Sequence, residues 1–142
     1  MRDMEVVVDA SIVVKWFVEE EDSDKALKLR DRYVDGELRI AAPELLIFEV
    51  LNALHYKKLF SENELKEISE ALEAYSLNLY PLKGDYAEKT IEVAFKNDIT
   101  IYDAAYIALA MIRGTHMYTA DEKLVRKMKH RYKEYVKSVK DL

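Results

Sequence analysis

Short, unbroken apolar runs alternate with helical stretches along this chain, and that alternation restricts the fold more than any other feature. Residues 4–9 (MEVVVD) are brief, Val-rich and continuous, as in a strand buried on both faces. Residues 38–42 (LRIAA), 77–81 (LNLYP) and 116–120 (HMYTA) repeat the pattern, and 134–139 suggests a last strand. Between them the spacing predicts helices over 11–19, 23–35, 43–59, 85–97, 101–113 and from 121 to about 130. Pro43 suits a first helical turn. Ser61 and Glu64 have capping-box spacing ahead of a helix whose stripe is Leu65, Ile68, Leu72 and Tyr75. Gly36, Gly84 and Gly114 each follow a helical pattern and punctuate it. Strands alternating with helices argue for an α/β fold, with helices on both faces of a mostly parallel sheet.

Acids stand where stability alone would not put them. Asp9 closes VVVD, Asp103 closes ITIYD and Asp121 closes MYTAD, while Glu49 interrupts LLIFEVLNAL at 45–54. A buried acid is costly unless something neutralises it. In parallel sheets, ligands bind beyond the carboxyl ends of the strands, which is where Asp9 and Asp121 fall.

Each acid also has a plain structural reading. Asp9 and Asp121 precede helices and suit N-caps. Ser11 is available to cap in place of Asp9 and release it for a ligand. Asp103 follows Thr100 in T-x-x-D, close to a capping box, but opens the apolar helix AAYIALAMI. Glu49 is hardest to explain structurally, since Leu46, Phe48, Val50 and Leu51 surround it in sequence and only Asn52 offers a polar stripe. Glu44 falls on another face and reads as solvated, whereas Trp16 and Phe17 read as core. Thr119 points to the same side of its strand as Asp121 and suits a bond to the carboxylate or a water.

If the four acids converge, two of them about 5 Å apart repel by roughly 3 kcal/mol at an effective dielectric near 20. The natural neutraliser is a hard divalent cation, Mg²⁺ or Mn²⁺, bound through oxygen. Such a site acidifies water and supports phosphodiester hydrolysis. It also repels RNA, so cations must line its approach. Lys15, Lys57, Lys58, Arg113 and Lys123 are nearest to the acids in sequence.

Composition removes rival chemistries. With no cysteine, disulfides, thiolate metal sites and cysteine nucleophiles are excluded. His55, His116 and His130 lack zinc spacing, and neither a glycine-rich phosphate loop nor a G-x-S-x-G elbow is present. A phosphoacceptor receiver domain needs an acidic pair after the first strand, where Asp9 stands alone. The net charge of -5 argues against general nucleic-acid binding. Its distribution is uneven: residues 19–22 are all acidic, and Lys123, Arg126, Lys127, Lys129, Arg131, Lys133, Lys137 and Lys140 enrich the end. That basic segment reads equally as a solvated face or a contact surface. MRDMEVVVD is too acidic, and its apolar run too short, for a signal peptide. No apolar run reaches membrane-spanning length, so a cytoplasmic protein without a membrane span is expected.

Four stretches together carry a family pattern: VVVDASIVVKWF at 6–17, PELLIFEVLNAL at 43–54, TIYDAAYIALA at 100–110 and YTADEKL at 118–124. In this order the chain resembles a PIN-domain ribonuclease of the VapC toxin type, over nearly its whole length. The resemblance implies one PIN-like domain over 1–142, a three-layer α/β/α fold with a central sheet of about four to five strands. It implies an Mg²⁺-dependent endoribonuclease whose acidic quartet is Asp9, Glu49, Asp103 and Asp121, with Ser11 and Thr119 in supporting positions. Homodimers and an antitoxin partner are also implied. RNA processing outside a toxin–antitoxin pair, or a binding module without turnover, are the alternatives.

Overall fold

The computed structural model describes residues 4–142. The first three residues, part of the stretch on which the signal-peptide reading rests, lie outside the described residues. Five strands, β1 (Glu5–Val8), β2 (Arg39–Pro43), β3 (Asn78–Tyr80), β4 (Met117–Thr119) and β5 (Val136–Ser138), form one sheet in the order β3-β2-β1-β4-β5. Every pairing is parallel. Strand β1 therefore lies in the middle, and the chain builds outward from it through β2 and β3, then returns beside β1 as β4. The order reverses between β1 and β4, and a crevice opens at such a point.

Among the described residues, seven helices flank the sheet: α1 (Ala10–Val14), α2 (Ser23–Val34), α3 (Leu45–Tyr56), α4 (Glu62–Tyr75), α5 (Gly84–Asn97), α6 (Ile101–Ile112) and α7 (Glu122–Lys127). Val6, Val7 and Val8 of β1 and Ala104–Ala110 of α6 are buried in the common core. The central strand and α6 read as apolar runs because Val6–Val8 and Ala104–Ala110 have no solvent face. The capping box forms as expected: Glu64 N donates to Ser61 Oγ at 3.1 Å, and Ser61 N to Glu64 Oε1 at 2.8 Å. Helices α2 and α6 end in Schellman turns, with Gly36 and Gly114 in the left-handed region and Glu37 N and Thr115 N reaching back to Arg32 O and Ala110 O. Among the described residues, no helix is long and apolar enough to cross a membrane.

Four local expectations change. Helix α1 stops at Val14, not near residue 19, because the chain tightens into i→i−3 bonds through Phe17. That turn lets the Trp16 indole donate to Ala26 O at 3.0 Å from a buried position. Pro43 ends β2 opposite Tyr80 rather than opening α3, a strand-end place where its missing N–H costs no ladder bond to β1. Gly84 opens α5 instead of closing a helix. Helix α7 ends at Lys127 because Met128 turns extended and buries its side chain, and a 3-10 helix follows at His130–Tyr135. The charged blocks also meet. Lys140 pairs with Glu21 at 3.3 Å and Asp22 at 2.9 Å, so the end of the basic segment is tied to the acidic stretch near the start.

Candidate active site

Asp9 follows β1 directly and is the N-cap of α1. Its Oδ1 accepts from Ser11 N at 3.0 Å and Ser11 Oγ at 2.5 Å, and its Oδ2 accepts from Thr119 Oγ1 at 2.5 Å. Ser11 therefore does not replace Asp9 as the cap. It donates to Asp9 and accepts from Ala120 N at 2.8 Å, tying the turn after β1 to the turn after β4. Thr119, fully buried, accepts from Asp121 N at 3.0 Å while donating to Asp9. Asp121 caps α7 through Leu124 N at 3.1 Å, using Oδ1. Capping and clustering thus coexist, because each carboxylate oxygen has lone pairs to spare.

The other two acids come from helices. Glu49 sits half-buried on α3, and its Oε1 accepts from Tyr106 Oη of α6 at 2.5 Å. Asp103 lies in the first turn of α6. The half-formed box at Thr100 caps its backbone N–H at 3.0 Å. Asp9, Ser11, Glu49, Asp103, Tyr106 and Asp121 line one open cleft of about 410 Å³ at the strand-order reversal. Asp103 and Asp121 also line an adjoining hollow with Lys123 and Lys127.

The electrostatics match an acidic cluster. Burial pushes the Asp9 carboxyl up to about 6 against the bonds from Ser11 and Thr119. Burial raises Glu49 as well, with Tyr106 opposing and the nearby Asp103 charge adding to the rise. Asp103 is raised by burial and then by the charge of Asp121. Burial and the Glu49 bond together push the Tyr106 hydroxyl far up, so it serves as a donor.

Among the described residues, no three Asp, Glu or His side chains converge to metal-binding distance. The expected single coordination shell is therefore not preformed. Asp9 and Asp121 are drawn toward backbone and hydroxyl donors, Glu49 toward Tyr106, and the acids repel one another. The donor set still fits a hard divalent ion. It is all oxygen, and Glu49 Oε2 and Asp121 Oδ2 carry no hydrogen bond among the described residues.

The five sequence-selected cations separate. Lys15 and Lys57 line the acidic cleft and Lys123 the adjoining hollow. Lys58 is exposed in the turn after α3, with φ +59, and lines neither. Arg113 is at the wrong end: it pairs with Glu5 at 2.8 Å, at the start of β1 and opposite Asp9, and lies over the Tyr80 ring. Its closeness in sequence to Asp103 misleads because α6 carries it the length of the sheet. Sequence reasoning missed Tyr106 and Glu20. Tyr106 was legible in principle, three residues past Asp103 on the same helical face. Glu20 stood in the sequence only as part of an acidic block near the start.

Residues 6–129 match the family model described as the PIN domain. A curated relative, Ribonuclease VapC3 of Pyrobaculum aerophilum, is 33% identical over 131 residues, covering 87% of this chain and 95% of that protein. The crystal structure of PAE2754 from Pyrobaculum aerophilum superposes with a TM-score of 0.63 at 25% identity, covering 97% of this chain and 85% of that one. A toxin–antitoxin complex from Klebsiella pneumoniae shares the fold at a TM-score of 0.62 and 17% identity, covering 83% of this chain and 88% of that one.

Proposed function

This chain belongs to the PIN-domain family, and from that premise we propose that it is a divalent-metal-dependent endoribonuclease, the toxin of a toxin–antitoxin pair. One observation carries the reading. Four acids from four separated segments line a single cleft at the strand-order reversal, and burial raises three of their carboxyls. A fold gains nothing in stability from such crowding, so the cost points to a cation.

Asp9, Asp103 and Asp121 are the proposed Mg²⁺ or Mn²⁺ ligands. Glu49 ligates beside them or holds the attacking water through the oxygen that Tyr106 leaves free. A bound divalent ion would acidify that water and offset charge developing on the phosphodiester. Hydrolysis then leaves a 3′-hydroxyl and a 5′-phosphate on single-stranded RNA, with Lys57 and Lys123 attracting the backbone at the cleft edges. The cytoplasm, where RNA is abundant, is the proposed compartment.

An antitoxin and a second copy are the proposed protein partners. The resemblance to VapC3 and to toxin–antitoxin complexes supports the first. Exposed Phe48 on α3 and Ile101 and Tyr102 on α6 support both, since with Leu82 they line one shared apolar groove.

The test is a panel of defined RNAs incubated with and without Mg²⁺, followed by end mapping. Cleavage that needs the metal and disappears in folded Asp9→Asn is expected. Cleavage by purified Asp9→Asn at the wild-type rate, or undiminished cleavage in chelator, would sink the assignment.

A further inference from the structure

Glu20 is a fifth acid lining the cleft, and its partners set it apart from the other four. It lies in the turn between α1 and α2. Its Oε2 accepts from Lys15 Nζ at 3.0 Å and its Oε1 from Lys57 Nζ at 3.1 Å. Lys15 is buried, and its ammonium also donates to Glu21 O at 2.6 Å. Lys57, just past α3, keeps its side chain 34% exposed, and its ammonium makes no other hydrogen bond among the described residues. Burial works to raise the Glu20 carboxyl, but the bonds from both lysines hold it below its ordinary range, opposite to Asp9, Glu49 and Asp103. The cleft thus has one wall of acids that form no ion pair among the described residues and one wall where two cations share one anion, with a net charge of +1.

That second wall solves a problem the first creates. A flexible lysine beside four carboxylates competes with a metal ion for them, and once the metal is bound it meets phosphate at no fixed place. A lysine held elsewhere meets phosphate at one place, in register with the acids. Resting on the nuclease reading, we propose that Glu20 is a positioning residue: anchored by buried Lys15, it holds the Lys57 ammonium at the edge of the acidic cleft as the contact for an RNA phosphate flanking the cleaved one. Glu20 itself touches neither RNA nor metal. Lys57 retains two N–H donors for the phosphate.

The proposal sets opposite signs for two neighbours in one triad. Lys57→Ala removes a phosphate contact. It should weaken binding of a single-stranded RNA oligomer in Ca²⁺ buffer about 5–10-fold and flatten the dependence of log K on log salt by about one. Glu20→Gln removes a negative charge and loosens Lys57. It should leave RNA affinity unchanged or tighter, yet lower kcat about 10-fold in Mg²⁺. A merely structural Glu20 would lower affinity, kcat and Tm together. Both variants should melt within a few degrees of the wild type, and Lys57→Ala, at an exposed site, keeps the test open should Glu20→Gln fold poorly.

Weaker RNA binding by Glu20→Gln, kcat within 2-fold of wild type, or a salt slope unmoved in Lys57→Ala would each overturn the proposal. If the wild type binds RNA but never cuts it, the nuclease reading fails alone, and the opposite binding signs decide the role of Glu20. If the wild type binds no single-stranded RNA, both fall.

Discussion

Asp9 and Asp121, at strand ends, each cap a helix with a carboxylate oxygen, whereas Glu49 and Asp103, carried on helices, cap nothing: Glu49 accepts one bond, from Tyr106, and it is the backbone of Asp103 that Thr100 caps. The strand-borne acids cap helices and join two turns through Ser11 and Thr119. The helix-borne acids join no turns, and Glu49 adds a single bond to the fold. The contrast separates two kinds of functional residue. At a strand end, an acid becomes part of the scaffold, so its loss mixes stability with activity. On a helix face, an acid can be tested for chemistry nearly alone.

Asp103→Asn should break the symmetry most sharply. We expect RNA cleavage to fall at least about 10³-fold, roughly 4 kcal/mol of barrier, with folding intact. Its metal-free melting temperature should match or exceed wild type, because a repelling charge beside Asp121 is gone. Melting below wild type in chelator would count against a crowded acidic cluster.

The next effect is a pH dependence at Asp9. Its folded carboxyl titrates near 6, above the ordinary 3.8, so the native state holds the proton more tightly than the unfolded chain. The associated stability is fully present below about pH 4 and is lost as pH rises through 6, by at most about 3 kcal/mol. In chelator, the wild type should therefore lose stability relative to Asp9→Asn between pH 4 and 7, and Mg²⁺ should restore it at pH 7. Parallel stability curves for the two proteins across that range would show that Asp9 is not strained by its charge.

Thr119→Val probes the scaffold role of the strand ends. It removes the donor to Asp9 and the acceptor of Asp121 N from a buried site, at an expected cost of about 1–3 kcal/mol in urea unfolding. A change below about 0.5 kcal/mol would mean the two turns are not joined through this hydroxyl.

Tyr106→Phe is the mildest and sharpens the helix-borne side. Removing one hydrogen bond costs about 1 kcal/mol. Because Tyr106 opposes the rise in the Glu49 carboxyl, its loss should move the acidic limb of the pH–rate profile upward. An unmoved limb would separate Glu49 from the titration that controls turnover.

By itself, the sequence determined the strand–helix alternation, the capping box at Ser61, the place of Asp9 and Asp121 beyond β1 and β4, and the candidate quartet. These are short-range matters of period, cap preference and the cost of acids in apolar runs, and each is complete within about ten residues. Glu49 was legible as an anomaly, but its partner was not, since Tyr106 lies 57 positions away. The bond from Thr119 to Asp9 spans 110 positions. Only the tertiary structure decided that Lys15 and Lys57 face the acids while Arg113 guards the far end of β1, and that Glu20 belongs with the lysines. Closeness along a helix is not closeness in space: twelve residues of α6 carry a side chain from one end of the sheet to the other, whereas the parallel crossovers return distant segments to the same edge.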